Sequence, residues 1–200
     1  MKLRLLSLLA FVILLNACIS IKVESGNSYG SLSQEQKSHI KKFVPGQPLH
    51  DTTSVFTLYE IMPDQLRKEA ANAGYTCYFS QVPHCDGPHC KPLTYYSRLL
   101  ASLDSMQVKT FLVSPCYDYS IMQKEKERFA YEGLMFVEDR DSRSHKFSGH
   151  KQFIEEVLGH KVRRKDMLWY ASYYVFRGDS LVSYGLEQAD AVDYIRAHRQ

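Results

Sequence analysis

The chain carries little net charge, no internal repeat and no long apolar run beyond its first residues. A formal balance of +3 over 200 residues falls short of the strongly basic face that nucleic-acid binding demands, so no nucleic-acid partner is expected. The one long apolar run, Leu5 to Leu15, is broken only by Ser7 and is too short for an ordinary membrane-spanning helix. Cysteine is sparse, with five residues, Cys18, Cys77, Cys85, Cys90 and Cys116, and their spacing fits no zinc finger or ribbon.

What is present begins at the N-terminus. Lys2 and Arg4 precede the apolar run, and "LNAC", Leu15 to Cys18, closes it with small Ala17 before the cysteine. This is the tripartite pattern of a secretory signal. The placement of Cys18 resembles the bacterial lipoprotein box. That resemblance implies removal of residues 1–17, lipidation of Cys18 and attachment to a membrane through it. An uncleaved N-terminal anchor is the alternative. Either route delivers the chain to an oxidising space, where disulfides persist. Removal of residues 1–17 takes away two positive charges and no negative one, so the balance falls to +1. In a cell with two membranes, Ile19 gives no obvious inner-membrane retention signal, which points to the periplasmic leaflet of the outer membrane, with the inner membrane as the alternative. Residues 18–45 then read as lipidated Cys18 plus a flexible tether, because 19–40 are mostly Ser, Gly, Asn, Gln, Lys and Glu. Residues 46–200 are one domain's length.

Within that domain, Val55 to Tyr59 reads as a strand, and Pro63 opens a helix that runs to Ala73 before Gly74. "YTCYFSQV", 75–82, is the next strand, leading into "VPHCDGPHCKP", 82–92. Leu93, Tyr96, Leu99, Leu100 and Leu103 recur at helical spacing. "VKTFLVS", 108–114, and "LMFVE", 134–138, are apolar enough to be buried on both faces of a parallel sheet. Between them a helix capped by Asp118 or Ser120 runs through Glu132 and stops at Gly133. A short helix surrounds Phe153, Ile154, Val157 and Leu158. "YYVF" and "SLVSY" flank a tight turn at Gly178-Asp179, and a helix over 187–198 closes the domain. The turn explains "RGDS" without any adhesive role. The fold class is therefore α/β, a mixed sheet with helices on both faces and a C-terminal β-hairpin plus helix.

This order resembles the thioredoxin-like superfamily over about residues 52–198. The residues that carry the likeness are the aromatic strand 75–82, the turn "GPHCKP" that opens a helix, and the hairpin "YYVFRGDSLVSYG". Two departures stand out. The family's redox turn separates its cysteines by two residues, whereas here the spacing is Cys85-x4-Cys90. The family also places a cis-proline before its hairpin, but no proline follows Pro115, and the matching position falls near Tyr170, Ala171 or Ser172. A non-proline cis bond there would cost about 3 kcal/mol, so a trans peptide is expected.

The resemblance implies thiol–disulfide exchange, with Cys85 as nucleophile and Cys90 as resolving thiol. A helix N-terminus stabilises a thiolate, and protonated His84 or His89 would add to that. Gly87-Pro88 can turn the chain back far enough for a Cys85–Cys90 bond, which could equally be a brace closing the loop. Cys116, following the strand 108–114, should emerge at the same sheet edge and is a possible third thiol. Cys77 reads as a small buried hydrophobe. No cofactor is expected. A metal reading remains, in which His84, Cys85, His89 and Cys90 hold copper or zinc with help from His145, His150 or His160. The partners implied are the membrane, through Cys18, and envelope proteins that carry thiols or disulfides. The rival from another class is a redox-silent thioredoxin-like module that binds a partner in the envelope. The tyrosines of "WYASYY", 169–174, could form part of such a face, although core packing accounts for most of them.

Overall fold

The computed structural model describes residues 29–49, 55–83, 91–139, 146–163 and 166–199. The strands are β1 (Ile40–Lys42), β2 (Leu58–Ile61), β3 (Thr76–Ser80), β4 (Lys109–Ser114), β5 (Met135–Glu138), β6 (Tyr173–Arg177) and β7 (Ser180–Gly185). The helices are α1 (Gln34–Ser38), α2 (Pro63–Ala71), α3 (Leu93–Ser105), α4 (Tyr119–Phe129), α5 (Lys146–Leu158) and α6 (Ala189–His198). All seven strands form one sheet in the order β1-β2-β5-β4-β3-β6-β7. The first five in that order are mutually parallel, while β6 is antiparallel to both β3 and β7. This is the α/β architecture expected from the sequence, a mixed sheet with helices on both faces, closed by a hairpin and a helix.

Strand alternation explains why both faces need cover. Cys77, Phe79, Leu112, Val137 and Val175 point to one face, where α3, α4 and α6 contribute Leu93, Tyr96, Met122 and Ile195. Tyr78, Phe111, Val113, Phe136 and Tyr174 point to the other, under Leu66 of α2 and Phe153, Ile154 and Val157 of α5. Two buried faces are why 108–114 and 134–138 read as continuous apolar runs. Gly178 turns the hairpin with φ +59°, a conformation that glycine adopts without a Cβ clash.

Three expectations shift. Residues 29–45, read as tether, are part of the fold. Leu32 fills one face, and Phe43 packs edge-on against Phe111 and Phe136 on the other, at 5.9 and 5.3 Å. These apolar residues are isolated among polar neighbours because β1 is a short edge strand whose Lys41 and Lys42 face water. The strand expected at Val55–Tyr59 pairs only from Leu58 to Ile61, and Val55 is exposed. Finally, α4 stops at Phe129, not Glu132. Ala130 takes the left-handed turn at φ 47°, and Tyr131 N–H donates back to Lys126 O.

Candidate functional site at the carboxyl edge

The parallel strands β2, β3, β4 and β5 all end at one edge, and several residues at or just beyond those ends are polar yet buried. Glu60, Glu138, Asp139, Asp118, Gln81 and Ser114 are each at most 4% exposed. Carboxyl edges of parallel strands are where ligands and reactive groups gather in α/β sheets. β3 ends at Ser80, Gln81 N–H donates to Val113 O, and α3 starts after Pro92, so the connection joining them starts at this edge. Cys85, Cys90, His84 and His89 lie in that connection, outside the described residues, as do Cys18 and His145.

Cys116 follows β4 at the same edge, as its place after 108–114 implied. Its Sγ donates to Asp118 Oδ2 at 2.9 Å and lies 3.4 Å from Ser114 Oγ, which also donates to Cys116 O at 2.8 Å. Burial raises the thiol pKa most, the hydrogen bond to Asp118 raises it further, and the Glu138 charge adds to both. Cys116 is therefore a protonated thiol with a carboxylate acceptor, a poor nucleophile at neutral pH. Cys77 is fully buried in β3, its thiol pushed up by burial, and neither of these cysteines is in a disulfide.

Two hydrogen-bonded arrangements flank Cys116, one on each face. On the α3–α4 face, Tyr117 OH donates to Glu60 Oε1 at 2.7 Å. On the other, Glu138 Oε1 accepts from Tyr78 OH at 3.2 Å and meets His150 Nδ1 at 2.6 Å. The His150 side chain is 15% exposed and that of Glu138 1%. A buried carboxylate on Nδ1 fixes the orientation of the imidazole ring. Further along, Gln81 Nε2 donates to Glu125 Oε2 at 3.3 Å. Burial holds the Glu125 carboxyl above the usual range, against the effect of that hydrogen bond.

Of the histidines considered as distant metal ligands, His150 stands at this edge, whereas His160 follows the far end of α5 and meets Leu158 O. Among the described residues, no three His, Cys, Asp or Glu side chains converge as a metal site. Residues 169–172 also reach this edge, because Ser80 N–H donates to Ser172 O and Ser172 N–H to Gly185 O. Trp169 and Tyr170 contact each other there, Tyr170 being 56% exposed, whereas Tyr173 and Tyr174 are core. The peptides through Ala171 and Ser172 are trans. Sequence reasoning missed Glu60, Glu138, Tyr78 and Tyr117 as site residues. The available signal was a glutamate ending each of two apolar strands, "LYE" and "LMFVE".

No protein-family model and no curated protein matches the chain. Among solved structures it is similar to BsSco, described as a member of the Sco family of cytochrome c oxidase assembly proteins in which a disulfide switch was identified. The identity is 12%, the TM-score 0.36, and the match covers 65% of this chain and 82% of that one. A likeness this distant carries no argument about the site.

Proposed function

We propose that this is a lipid-anchored, extracytoplasmic thioredoxin-like protein that exchanges thiols and disulfides through Cys85 and Cys90. The observation supporting this reading is topological. The sequence "VPHCDGPHCKP" connects the carboxyl end of β3 to the start of α3 in a sheet of thioredoxin-like order. The Cys85 thiolate attacks one sulfur of a partner disulfide, forming a mixed disulfide and releasing one partner thiolate. Cys90 then attacks the Cys85 sulfur, releasing the second partner thiol and leaving the Cys85–Cys90 bond. The protein's dithiol is oxidised by two electrons and the partner's disulfide reduced by two, and the reverse sequence oxidises the partner. Cys116, held protonated, is not the attacking group.

The test is the reduction potential of the pair in protein starting after Cys18, equilibrated in glutathione buffers, alkylated and mapped by mass. A reversible couple between about −120 and −270 mV is expected of an exchange protein. A bond more negative than about −300 mV, resistant to alkylation, makes the loop a brace. That result selects the second reading, a redox-silent module that binds an envelope partner, which the exposed Tyr170 ring at the same edge favours. Stoichiometric copper or zinc on the purified protein would instead select metal handling through His84, Cys85, His89 and Cys90.

A further inference from the structure

Tyr29, the first described residue, is seated against Tyr117. Its ring centroid lies 5.5 Å from that of Tyr117, edge to face, and Tyr117 follows Cys116 directly. The segment that follows is fastened along α4. Leu32 is buried in the core shared with α3 and α4, Gln36 Nε2 donates to Ser120 Oγ at 2.9 Å, and His39 stacks on Tyr119. A capping box between Ser33 and Gln36 starts α1 and holds this strap in shape. The chain coming from the N-terminus therefore enters the fold at the carboxyl edge.

Only residues 19–28 separate Cys18 from Tyr29. About eleven Cα steps span at most about 40 Å even when fully extended. A domain of this size is itself roughly 40 Å across. With Cys18 held in a bilayer, the tether sets an upper limit on how far Tyr29 and Tyr117 can stand from the lipid. The opposite end of the sheet lies further from that attachment by the length of the strands, about 20 Å for β4.

We infer that the carboxyl edge is the side of the domain kept nearest the membrane, and that its partner is a polypeptide held in or on the same membrane, with its thiol or disulfide close to the lipid surface. This rests on the lipidation of Cys18 and the exchange at Cys85 and Cys90 proposed above. Tethering raises the effective concentration of the edge for partners at the surface and does nothing for partners in solution. For a flexible linker that advantage falls roughly as the −3/2 power of length.

The experiment uses the full lipidated chain in phosphatidylethanolamine–phosphatidylglycerol vesicles. One disulfide peptide is supplied in two forms, coupled to a lipid headgroup and free in solution. About thirty Gly and Ser residues inserted after Gly26 should slow exchange with the bilayer-held peptide about sevenfold and leave the free peptide unaffected. Equal rates for the bilayer-held peptide before and after insertion, or equal slowing of both peptides, overturn the inference. A second measurement does not depend on redox chemistry. Energy transfer to headgroup acceptors should be more efficient from a label at Tyr170, at the carboxyl edge, than from one at Ser105, at the opposite end. Equal or reversed transfer overturns this inference alone. Failure of wild type to exchange either peptide sinks the exchange reading, and a bare Cys18 by mass sinks the anchoring on which both depend.

Discussion

At the amino end of the sheet, buried charge is closed on itself. Glu69 of α2 bonds Lys109 at the start of β4 and accepts the Gly46 N–H at 2.6 Å, which fixes the carboxylate between a cation and the backbone. At the carboxyl end, acids meet neutral hydrogen-bonding groups and an imidazole. Glu60 is held by a phenol, Glu138 by a phenol and an imidazole, and Asp118 by a thiol. The same residue type thus serves two purposes. One end pairs its acid with a cation and the backbone, whereas the other surrounds its acids with phenols, an imidazole and the Cys116 thiol.

The largest expected effect separates these two ends. Glu138→Ala leaves Tyr78 and His150 facing a buried void and should cost about 3 kcal/mol in urea unfolding. Glu69→Ala should cost about 1–2 kcal/mol, because Lys109 is 31% exposed and can relax into water. Equal losses would erase the distinction.

Alkaline pH comes next. Cys77 and Cys116 both titrate above their ordinary value of 9.0 in the folded state, chiefly through burial. The unfolded chain therefore binds fewer protons above pH 9, and stability that is complete below pH 9 is lost as pH rises beyond it. The slope should approach about 1.4 kcal/mol per pH unit for each thiol. Tyr96, Tyr131 and Tyr174, likewise raised by burial, should steepen the loss above pH 10. A urea midpoint flat from pH 8 to 10.5 would contradict this. Replacing Cys77 with Ala should remove one thiol's share.

A finer comparison sets Cys116 against Cys77. Asp118→Asn removes the carboxylate that raises the Cys116 thiol, and should speed alkylation of Cys116 up to about tenfold at pH 8. Cys77, whose shift comes from burial alone, should not respond. Parallel acceleration at both would point to loosening of the whole fold. The smallest effect lies on the surface. Arg196→Ala breaks the exposed pair with Asp193 and should change stability by no more than about 0.5 kcal/mol.

The elements that were legible in sequence were those with two buried faces or a strict turn requirement. The runs at 108–114 and 134–138 became β4 and β5, and Gly178 marked the hairpin. The strap over 29–42 was not legible, because Leu32, Ile40 and Phe43 are too far apart to make a periodic pattern. Their burial depends on Tyr117, Tyr119, Phe111 and Phe136 arriving from far along the chain. Ala130 gave no sign that it would take a left-handed turn, since that conformation ordinarily favours glycine. At the site, Cys116 was anticipated at the correct edge from its place after a parallel strand. The Glu138–Tyr78 and Glu60–Tyr117 bonds join residues about sixty positions apart, so beyond a glutamate at the end of an apolar run nothing local marks either acid as buried.

The position of β3 at the heart of the sheet also sets a timetable. Its partner on one side, β6, is the antiparallel strand that pairs Thr76 with Phe176, one hundred residues later in the chain. In a chain that emerges from its N-terminus, that flank stays unpaired until another hundred residues have followed β3. An apolar strand with an open flank is an aggregation hazard for as long as it waits. β3 is thus among the last strands to be secured, and the carboxyl edge takes its final form only when the C-terminal hairpin docks.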